Sequence, residues 1–527
     1  MRSTRVTLPV VFLCVAAAAT ISAQGRARPP LEAADIDAIA TLLKLEDART
    51  YDEAALNRIL ASTHPEVRRR AVQSVGRIAD KRGAGLLDAA RKDKDVEVGA
   101  TAAWSAGQLR DPGAVPWLSE ALSTSGVPLA IQREAAIALG KIQAPESRAA
   151  LARYLSETAL ANAPVTVVGE ALQSIGRFPS EGDLSPIVRW GASPDVELRW
   201  RTAWSLFRSR NPAALPDLLR LSEDSSPEVR FWAVRGLIPH PNVDPAPAAT
   251  RLRAAVTDRD RRVRTEALRT LSQHDDDESF SIVLNALTSP DAWLSVSAAE
   301  GLARYMKRAD VIVPRLVTAA GADRPLALRL TARQSLARFD EKGKAALAAL
   351  TTAGLPSQPP VARGTRAVPQ LRSDAEYREI VERWIVTAYK GARPPRAELV
   401  TARGTIELEF YPGDAPLGLE YFIRVTESGE IVGTEFSRVV PNFVAQQRGI
   451  RNDVVLRDEV SRRGLTRGNL SWASAGLDTG RPGYTLGITP QPHNEGNFTA
   501  LGRVIRGMDV VERLQLGDTI TAARMIK

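Results

Sequence analysis

Along the first two thirds of the chain, a small residue repeatedly follows an aliphatic residue by four positions. Positions four apart lie on one face of a helix, and a small side chain there lets a second helix approach closely. We therefore predict a stack of helical repeats whose members recur every 31 to 36 residues. Nine units can be read, and they are anchored at Val67, Val98, Ile131, Val167, Leu198, Val229, Val263, Leu294 and Leu328.

Polar turns with a proline precede many of these anchors, as at His64-Pro65-Glu66 and Ser226-Pro227-Glu228. Proline is well tolerated in the first turn of a helix, so each anchor marks the second helix of a helix–turn–helix unit. The units resemble HEAT repeats, including an arginine directly after the anchor, as in Val67-Arg68. The resemblance covers residues 32–350 and implies an all-α solenoid with an extended surface for a protein partner.

Five tryptophans lie on or near the predicted second helices. Packing in the stacked core is the favoured interpretation, and a peptide-binding aromatic stripe is the alternative. These residues are Trp104, Trp200, Trp204, Trp232 and Trp293.

The first 23 residues have the pattern of a secretory signal peptide. Arg2 and Arg5 precede an apolar run too short to span a bilayer, and Ser22-Ala23 offers a cleavage point. We therefore expect an exported protein, periplasmic or secreted, with no membrane span once the signal is removed. An uncleaved anchor is the alternative.

The single cysteine, Cys14, falls in this signal, which excludes disulfides and thiolate chemistry from the mature chain. We predict neither a metal site nor a cofactor. The net charge of +9 is spread along arginine-rich helices rather than concentrated in one block. Nucleic acid is therefore not expected as a partner.

The repeat pattern ends near residue 354, where a stretch rich in Pro, Gly and Arg begins. We predict a linker over residues 354–395 that contains one helix, from Asp374 to Tyr389. From residue 396 the apolar positions alternate, as at Ile406, Leu408 and Phe410, which predicts one strand or a hairpin. A β domain is therefore expected over residues 396–527.

Several motifs of this second domain resemble those of bacterial cyclophilins, which are peptidyl-prolyl cis/trans isomerases. They include Phe436-Ser437-Arg438, Pro441-Asn442-Phe443 with Gln446, the stretch from Gly468 to Gly476, and Gly502-Arg503-Val504. The resemblance spans residues 396–527, with its motifs in order. It implies a closed, eight-stranded antiparallel β-barrel with two helices and a groove for proline-containing polypeptides.

The resemblance also implies roles for individual residues. Arg438 would direct its guanidinium at the prolyl nitrogen, Phe443 and Val444 would line the proline pocket, and Gln446 would hold the substrate backbone. The remaining groove positions that the resemblance implies are Ala473, Ser474, Ala475, Thr485, His493, Asn494 and Phe498.

Two of these groove positions depart from the family pattern. Thr485 stands where the family has a pocket phenylalanine, and Asn494 where it has a leucine, while Gly483 replaces a groove glutamine. The intact Arg438 and Phe443 favour an isomerase whose solenoid brings clients to the barrel. The departures favour the alternative, a catalytically weak or inactive binding scaffold in the cell envelope.

Overall fold

The computed structural model describes residues 28–178, 182–355, 370–450 and 454–526. The predicted signal peptide and residues 356–369 of the predicted linker fall outside these residues. Within the described residues, no helix is both long enough and apolar enough to cross a bilayer.

The N-terminal region is a stack of paired helices, as the repeat predicted. Odd-numbered helices from α3 to α19 carry the anchors, and each packs on the next odd-numbered helix in the stack. The helices are α1 (Ala33–Ala48), α2 (Glu53–Leu60), α3 (Pro65–Ile78), α4 (Ala84–Ala90), α5 (Val96–Leu109), α6 (Val115–Ser123), α7 (Leu129–Ile142), α8 (Pro145–Glu157), α9 (Val165–Ile175), α10 (Ser185–Val188), α11 (Val196–Ser209), α12 (Leu215–Leu221), α13 (Pro227–Gly236), α14 (Ala246–Ala255), α15 (Arg261–Leu271), α16 (Asp277–Ala286), α17 (Ala292–Leu302), α18 (Ala309–Ala319), α19 (Leu326–Leu336) and α20 (Asp340–Ala349).

Small residues set the distance between successive second helices. A β-carbon on Gly140 of α7 would lie 2.8 Å from the Cα of Ser174 on α9, and one on Gly107 would lie 2.8 Å from the Cα of Ala138. These distances are shorter than any van der Waals contact, so the backbones approach as they do because glycine has no side chain.

On α3, α11 and α13, the arginine that directly follows the anchor links its own turn to the next repeat. Arg68 donates to the carbonyl oxygen of Ser62 at 3.0 Å and to the carboxylate of Asp93 at 2.7 Å. Such charge-assisted bonds satisfy turn carbonyls that the helices leave open. The same arrangement recurs in the pairs Arg199–Asp224 and Arg230–Asp258.

All five repeat tryptophans are buried. Trp200, Trp204 and Trp232 lie in the solenoid's hydrophobic core and Trp104 is buried on α5, which agrees with the core interpretation for these four. Trp293 of α17 differs, because it packs in the hydrophobic cluster of the C-terminal domain.

The predicted helix after the linker forms from Asp374 to Tyr389. It consists of α21 (Asp374–Ile380), a π-helical turn over Val381–Val386, and α22 (Thr387–Tyr389). This segment packs on α1, and its Trp384 also contacts the C-terminal cluster and donates to Glu420. It therefore joins the two parts of the chain.

The C-terminal domain is a curled antiparallel sheet with two helices. Its predicted first segment is a hairpin, in which Leu399 pairs with Ile406. The strands lie in the order β3-β4-β6-β5-β7-β2-β1-β8. The elements are β1 (Arg396–Thr401), β2 (Gly404–Phe410), α23 (Pro416–Glu427), β3 (Phe436–Val440), β4 (Val444–Gln447), β5 (Asn469–Ala473), β6 (Arg481–Gly487), β7 (Ala500–Arg506), α24 (Met508–Arg513) and β8 (Ile520–Ile526).

Several of the solenoid's second helices contact this domain. On α3, Arg77 donates to the carbonyl oxygens of Val460 and Asp414. On α7, Lys141 donates to the carbonyl oxygen of Gly496 at 3.1 Å. Further contacts of this kind run from Arg70–Gly413 on α3, through Gln108–Gly496 on α5 and Arg177–Pro492 after α9, to Arg269–Pro441 on α15.

Candidate functional site

The candidate site lies on the hairpin formed by β3 and β4. Arg438 is in the middle of β3, and the register pairs it with Gln446 of β4. The two side chains point the same way, since a guanidinium nitrogen of Arg438 lies 3.4 Å from the amide oxygen of Gln446. The hairpin thus brings together two residues that are eight positions apart in sequence.

Phe443 closes the hairpin beneath the arginine. The Arg438 guanidinium carbon is 5.4 Å from the centroid of the Phe443 ring, within the range of a cation–π contact. The ring of Phe443 stacks on that of His493, with centroids 5.9 Å apart and planes 24° apart. Arg438 is exposed, while both rings are half-buried. The result is a cation above an aromatic wall.

The turn before Phe443 is held by the solenoid. Asn442 is buried and has a left-handed φ of 61°, which asparagine tolerates better than most residues. Its side-chain amide donates to the carbonyl oxygen of Arg262 at 2.8 Å and to a carboxylate oxygen of Glu266 at 3.3 Å. The helix α15 therefore fixes the backbone that presents Phe443.

The solenoid also sets the charge around the site. Although the Arg438 side chain is exposed overall, partial desolvation of its guanidinium and the neighbouring Arg269 lower its pKa, and Glu300 partly offsets this. Burial lowers the pKa of His493 to about 4, and three solenoid arginines, Arg208, Arg235 and Arg177, act in the same direction. His493 is consequently neutral at pH 7.

The other predicted groove residues lie on neighbouring elements. Thr485 of β6 pairs with Gln446, and its hydroxyl is 3.4 Å from the carbonyl oxygen of Ser471. Val444 and Ala473 are buried in strands. Ala473 ends strand β5, whose main chain pairs with β6 and β7 on either side, and this stretch resembles one that the family places in a groove loop.

The last four predicted groove positions are Ser474, Ala475, Asn494 and Phe498, and the first three of them form local hydrogen bonds. The hydroxyl of Ser474 and the main-chain N–H of Ala475 both bond to the Thr479 side chain, within one turn. Asn494 donates to the side chain of Gln491 at 2.9 Å, and Phe498 is half-buried. The structure thus gathers Arg438, Phe443, Gln446, Thr485 and His493, whereas the hydrogen bonds of Ser474, Ala475 and Asn494 are made to residues outside that group.

The replacement at Gly483 has a steric basis. A β-carbon there would lie 2.9 Å from the main-chain oxygen of Gln447 and from the main-chain nitrogen of Gly449. The chain after β4 therefore occupies the space that a side chain at position 483 would need.

Comparison with known proteins agrees with this domain structure. Residues 396–527 match the family described as cyclophilin type peptidyl-prolyl cis-trans isomerase/CLD, and residues 53–129, 83–162 and 220–303 match HEAT repeats. A peptidyl-prolyl cis-trans isomerase of Synechococcus elongatus is 31% identical over 139 residues, which is 25% of this chain and 96% of that protein. Peptidyl-prolyl cis-trans isomerase B of Bacillus subtilis is 31% identical over 128 residues, or 23% of this chain and 90% of that protein.

A solved cyclophilin of Cryptosporidium parvum covers 25% of this chain and 98% of its own, with 18% identity and a TM-score of 0.24. On the sequence matches, the chain belongs to the cyclophilin-type peptidyl-prolyl cis/trans isomerase family, with HEAT repeats preceding the isomerase domain.

The sequence did not predict the solenoid residues at the site. Glu266 and Arg269 are in an ordinary arginine-rich repeat, and nothing in their spacing sets them apart from other repeats. Their proximity to the β3–β4 hairpin depends on how two distant parts of the chain dock.

Proposed function

We propose that this protein catalyses cis/trans isomerisation of X-Pro bonds in client polypeptides, with Arg438 as the catalytic residue. The observation that carries the proposal is the position of the Arg438 guanidinium, above the Phe443 ring and next to the amide of Gln446. A proline ring resting on Phe443 would place its nitrogen beneath the guanidinium.

The reaction requires no covalent intermediate. The barrier of about 18–20 kcal/mol arises because rotation breaks amide resonance and localises a lone pair on the prolyl nitrogen. A cation at that nitrogen stabilises the twisted state more than either planar isomer, which is the condition for catalysis. Although partial desolvation lowers its pKa, the Arg438 guanidinium keeps its charge at neutral pH, because the ordinary pKa of an arginine lies far above 7.

The remaining groove residues would act by binding. Gln446 offers an amide to the substrate main chain, and neutral His493 extends the wall that Phe443 begins. Thr485 and Asn494 make this pocket more polar than the family pattern, at a cost of roughly 2–4 kcal/mol of apolar contact. We therefore expect slower turnover than a cyclophilin with an apolar pocket achieves.

A second candidate function is a binding scaffold without catalysis. The specific support for it is the close packing at Gly483, which fills part of the space beside the groove. In both cases we propose an exported location, based on the predicted signal peptide, and proline-containing clients there. We also propose that the sheet closes into a barrel, supported by the bridge between Glu435 and Thr519, which joins the segments next to β3 and β8.

Exchange NMR on an Ala-Pro peptide, with the chain from residue 24 onward, tests the proposal. The wild-type protein should accelerate isomerisation. In Arg438→Ala the catalysed rate should fall about 100-fold, which is the usual effect of removing one preorganised transition-state donor. Arg506→Ala is the matched control, since Arg506 lies on β7 with a highly exposed side chain. If the wild-type protein binds the peptide but does not accelerate its isomerisation, the enzymatic function is rejected in favour of the binding scaffold.

A further inference from the structure

The two residues that precede Phe443 are both held by the solenoid helix α15. Arg269 donates to the main-chain oxygen of Pro441 at 3.0 Å. The side-chain amide of Asn442 donates to the carboxylate of Glu266 at 3.3 Å. Residues three apart lie on one face of a helix, so a single face of α15 contacts both residues of this turn.

The preceding repeat holds Glu266 in turn. Glu266 is 5% exposed, and its second carboxylate oxygen lies 3.5 Å from the Arg235 guanidinium of α13. That guanidinium lies over the rings of Phe207 and Trp232, at 5.2 and 5.4 Å from their centroids. A continuous series of contacts therefore runs from the aromatic side chains of α11 and α13, through Arg235 and Glu266, to the amide of Asn442.

The backbone at Asn442 depends on contacts from both parts of the chain. The residue is fully buried and has a left-handed φ of 61°, a conformation that persists where the surrounding contacts enforce it. Within the C-terminal domain, the hydroxyl of Thr489 donates to the main-chain oxygen of Asn442 at 2.8 Å. The solenoid binds the side chain. Both parts therefore fix the direction in which the chain enters Phe443.

The position of Phe443 sets the geometry of the proposed reaction. The guanidinium carbon of Arg438 is 5.4 Å from the centroid of the Phe443 ring. A displacement of only about 1 Å can lower the rate of an enzyme about 100-fold, because the reacting groups must be aligned. A contact that fixes the backbone before Phe443 consequently fixes the distance between a bound proline ring and the cation.

We propose that Glu266 of the solenoid is a positioning residue for the isomerase reaction. It acts through Asn442, and holds the turn that places Phe443 beneath Arg438. This inference rests on the proposed function, because it assigns to the repeats a role in the same reaction. Glu266 is buried and does not touch the client. The repeats therefore contribute to turnover as well as to binding.

Exchange NMR on an Ala-Pro peptide, with the chain from residue 24 onward, gives kcat and KM for each variant. In Glu266→Ala we expect kcat/KM to fall about 10-fold, mainly through kcat, because the client still binds but is misaligned with the guanidinium. Glu266→Gln keeps an amide oxygen that can accept the Asn442 amide. It should therefore restore kcat/KM to within about threefold of the wild-type value.

Asn442→Gly tests whether Glu266 acts through the turn. Glycine adopts a φ of 61° without strain but has no side-chain amide to donate. This variant should by itself lower kcat/KM about 10-fold, and it removes the same hydrogen bond even if Glu266→Ala fails to fold. In the double variant, Glu266→Ala should cause almost no further loss. A second, independent loss of about 10-fold would overturn the proposal.

A spectroscopic measurement separates positioning from a loss of stability. The rings of His493 and Phe443 stack with centroids 5.9 Å apart, so the imidazole resonance of His493 reports on the position of the Phe443 ring. This resonance should move in Glu266→Ala, whereas partial unfolding would lower its intensity without moving it. Asp224→Asn is the matched control, since Asp224 is a partly buried carboxylate that pairs with Arg199 inside the solenoid.

The control should leave both kcat/KM and the His493 resonance unchanged, even if it lowers the melting temperature. If the wild-type protein is active, an unchanged kcat/KM in Glu266→Ala or an unmoved His493 resonance overturns this inference and leaves the proposed function standing. If the wild-type protein does not accelerate isomerisation, both proposals are rejected.

Discussion

Arg77 is the buried side chain that joins α3 to the C-terminal domain. It is 3% exposed and donates to Val460 O at 2.8 Å and to Glu46 Oε2 at 2.7 Å. It also lies close to the fully buried carboxyl of Glu459, whose pKa burial raises to about 7 while Arg77 acts to lower it. Arg77→Met would retain most of the apolar volume and remove the charge.

The cost follows from what the substitution leaves behind. Glu46 would keep a buried carboxylate without its cation, and the carbonyl oxygens of Val460, Asp414 and Glu459 in the C-terminal domain would lose their donor. Removing one partner of a buried ion pair typically costs about 3–5 kcal/mol. About 3 kcal/mol corresponds to a hundredfold increase in the population of locally opened molecules. We therefore expect the domain contact to loosen at α3 while the repeats stay folded.

Hydrogen exchange on the whole chain measures this opening. The main-chain N–H groups of Leu417 and Gly418 donate to the Glu459 carboxylate at 3.0 and 2.7 Å, so their exchange reports directly on this contact. Exchange there should become about 100-fold faster in Arg77→Met. Unchanged exchange at these two amides, together with a lower melting temperature, would show that Arg77 stabilises the solenoid alone and refute the reasoning. Arg153→Met, at an exposed position on α8, serves as control.

Two further predictions concern the repeats and the site. Gly140→Val should destabilise the solenoid by about 1–3 kcal/mol, because its β-carbon would meet the Ser174 backbone. Gly85→Ala should be neutral or slightly stabilising, because a β-carbon at that position meets no other atom, and calorimetry distinguishes the two variants. The pKa of His493 is about 4 in the folded protein and 6.5 in the unfolded chain, so the unfolded chain binds an extra proton between these two values. The free energy of unfolding should therefore fall by on the order of 2 kcal/mol as the pH drops from 6.5 to 4. Denaturant unfolding across that range should show a smaller slope in His493→Gln, and an equal slope would assign the effect to another group.

The hydrophobic pattern was sufficient to predict the repeats, because it records which face of each helix is buried. The four-residue spacing and the prolines placed the second helices, and the alternation at Ile406 and Leu408 placed the first hairpin of the sheet. The grouping of Arg438, Phe443 and Gln446 was implied by the family resemblance, and the structure explains it, since all three lie on one hairpin. Local sequence determines such a site as soon as the register is fixed.

The docking of the two parts could not be predicted in this way. Periodicity shows that a position is buried but does not identify the element that buries it. Asn442 and Glu266 are 176 residues apart, and their hydrogen bond exists because nine repeats together give the solenoid a particular curvature. That curvature is the sum of small rotations between neighbouring repeats, and the sequence of a single repeat does not predict them.

The contacts between the solenoid and the C-terminal domain differ in strength along their length. At α3 the contact includes the buried Arg77 with a buried carboxylate, where each lost bond leaves a charge unpaired. At α15 it consists of bonds from Arg269 and Asn442 to carbonyl oxygens and to Glu266, of which a typical hydrogen bond contributes about 1 kcal/mol. Next to α15, Trp293 of α17 packs in the hydrophobic cluster of the C-terminal domain, so apolar contact adds to these hydrogen bonds. The repeats thus hold the isomerase domain through buried charge at α3, and through hydrogen bonds and apolar packing at α15 and α17.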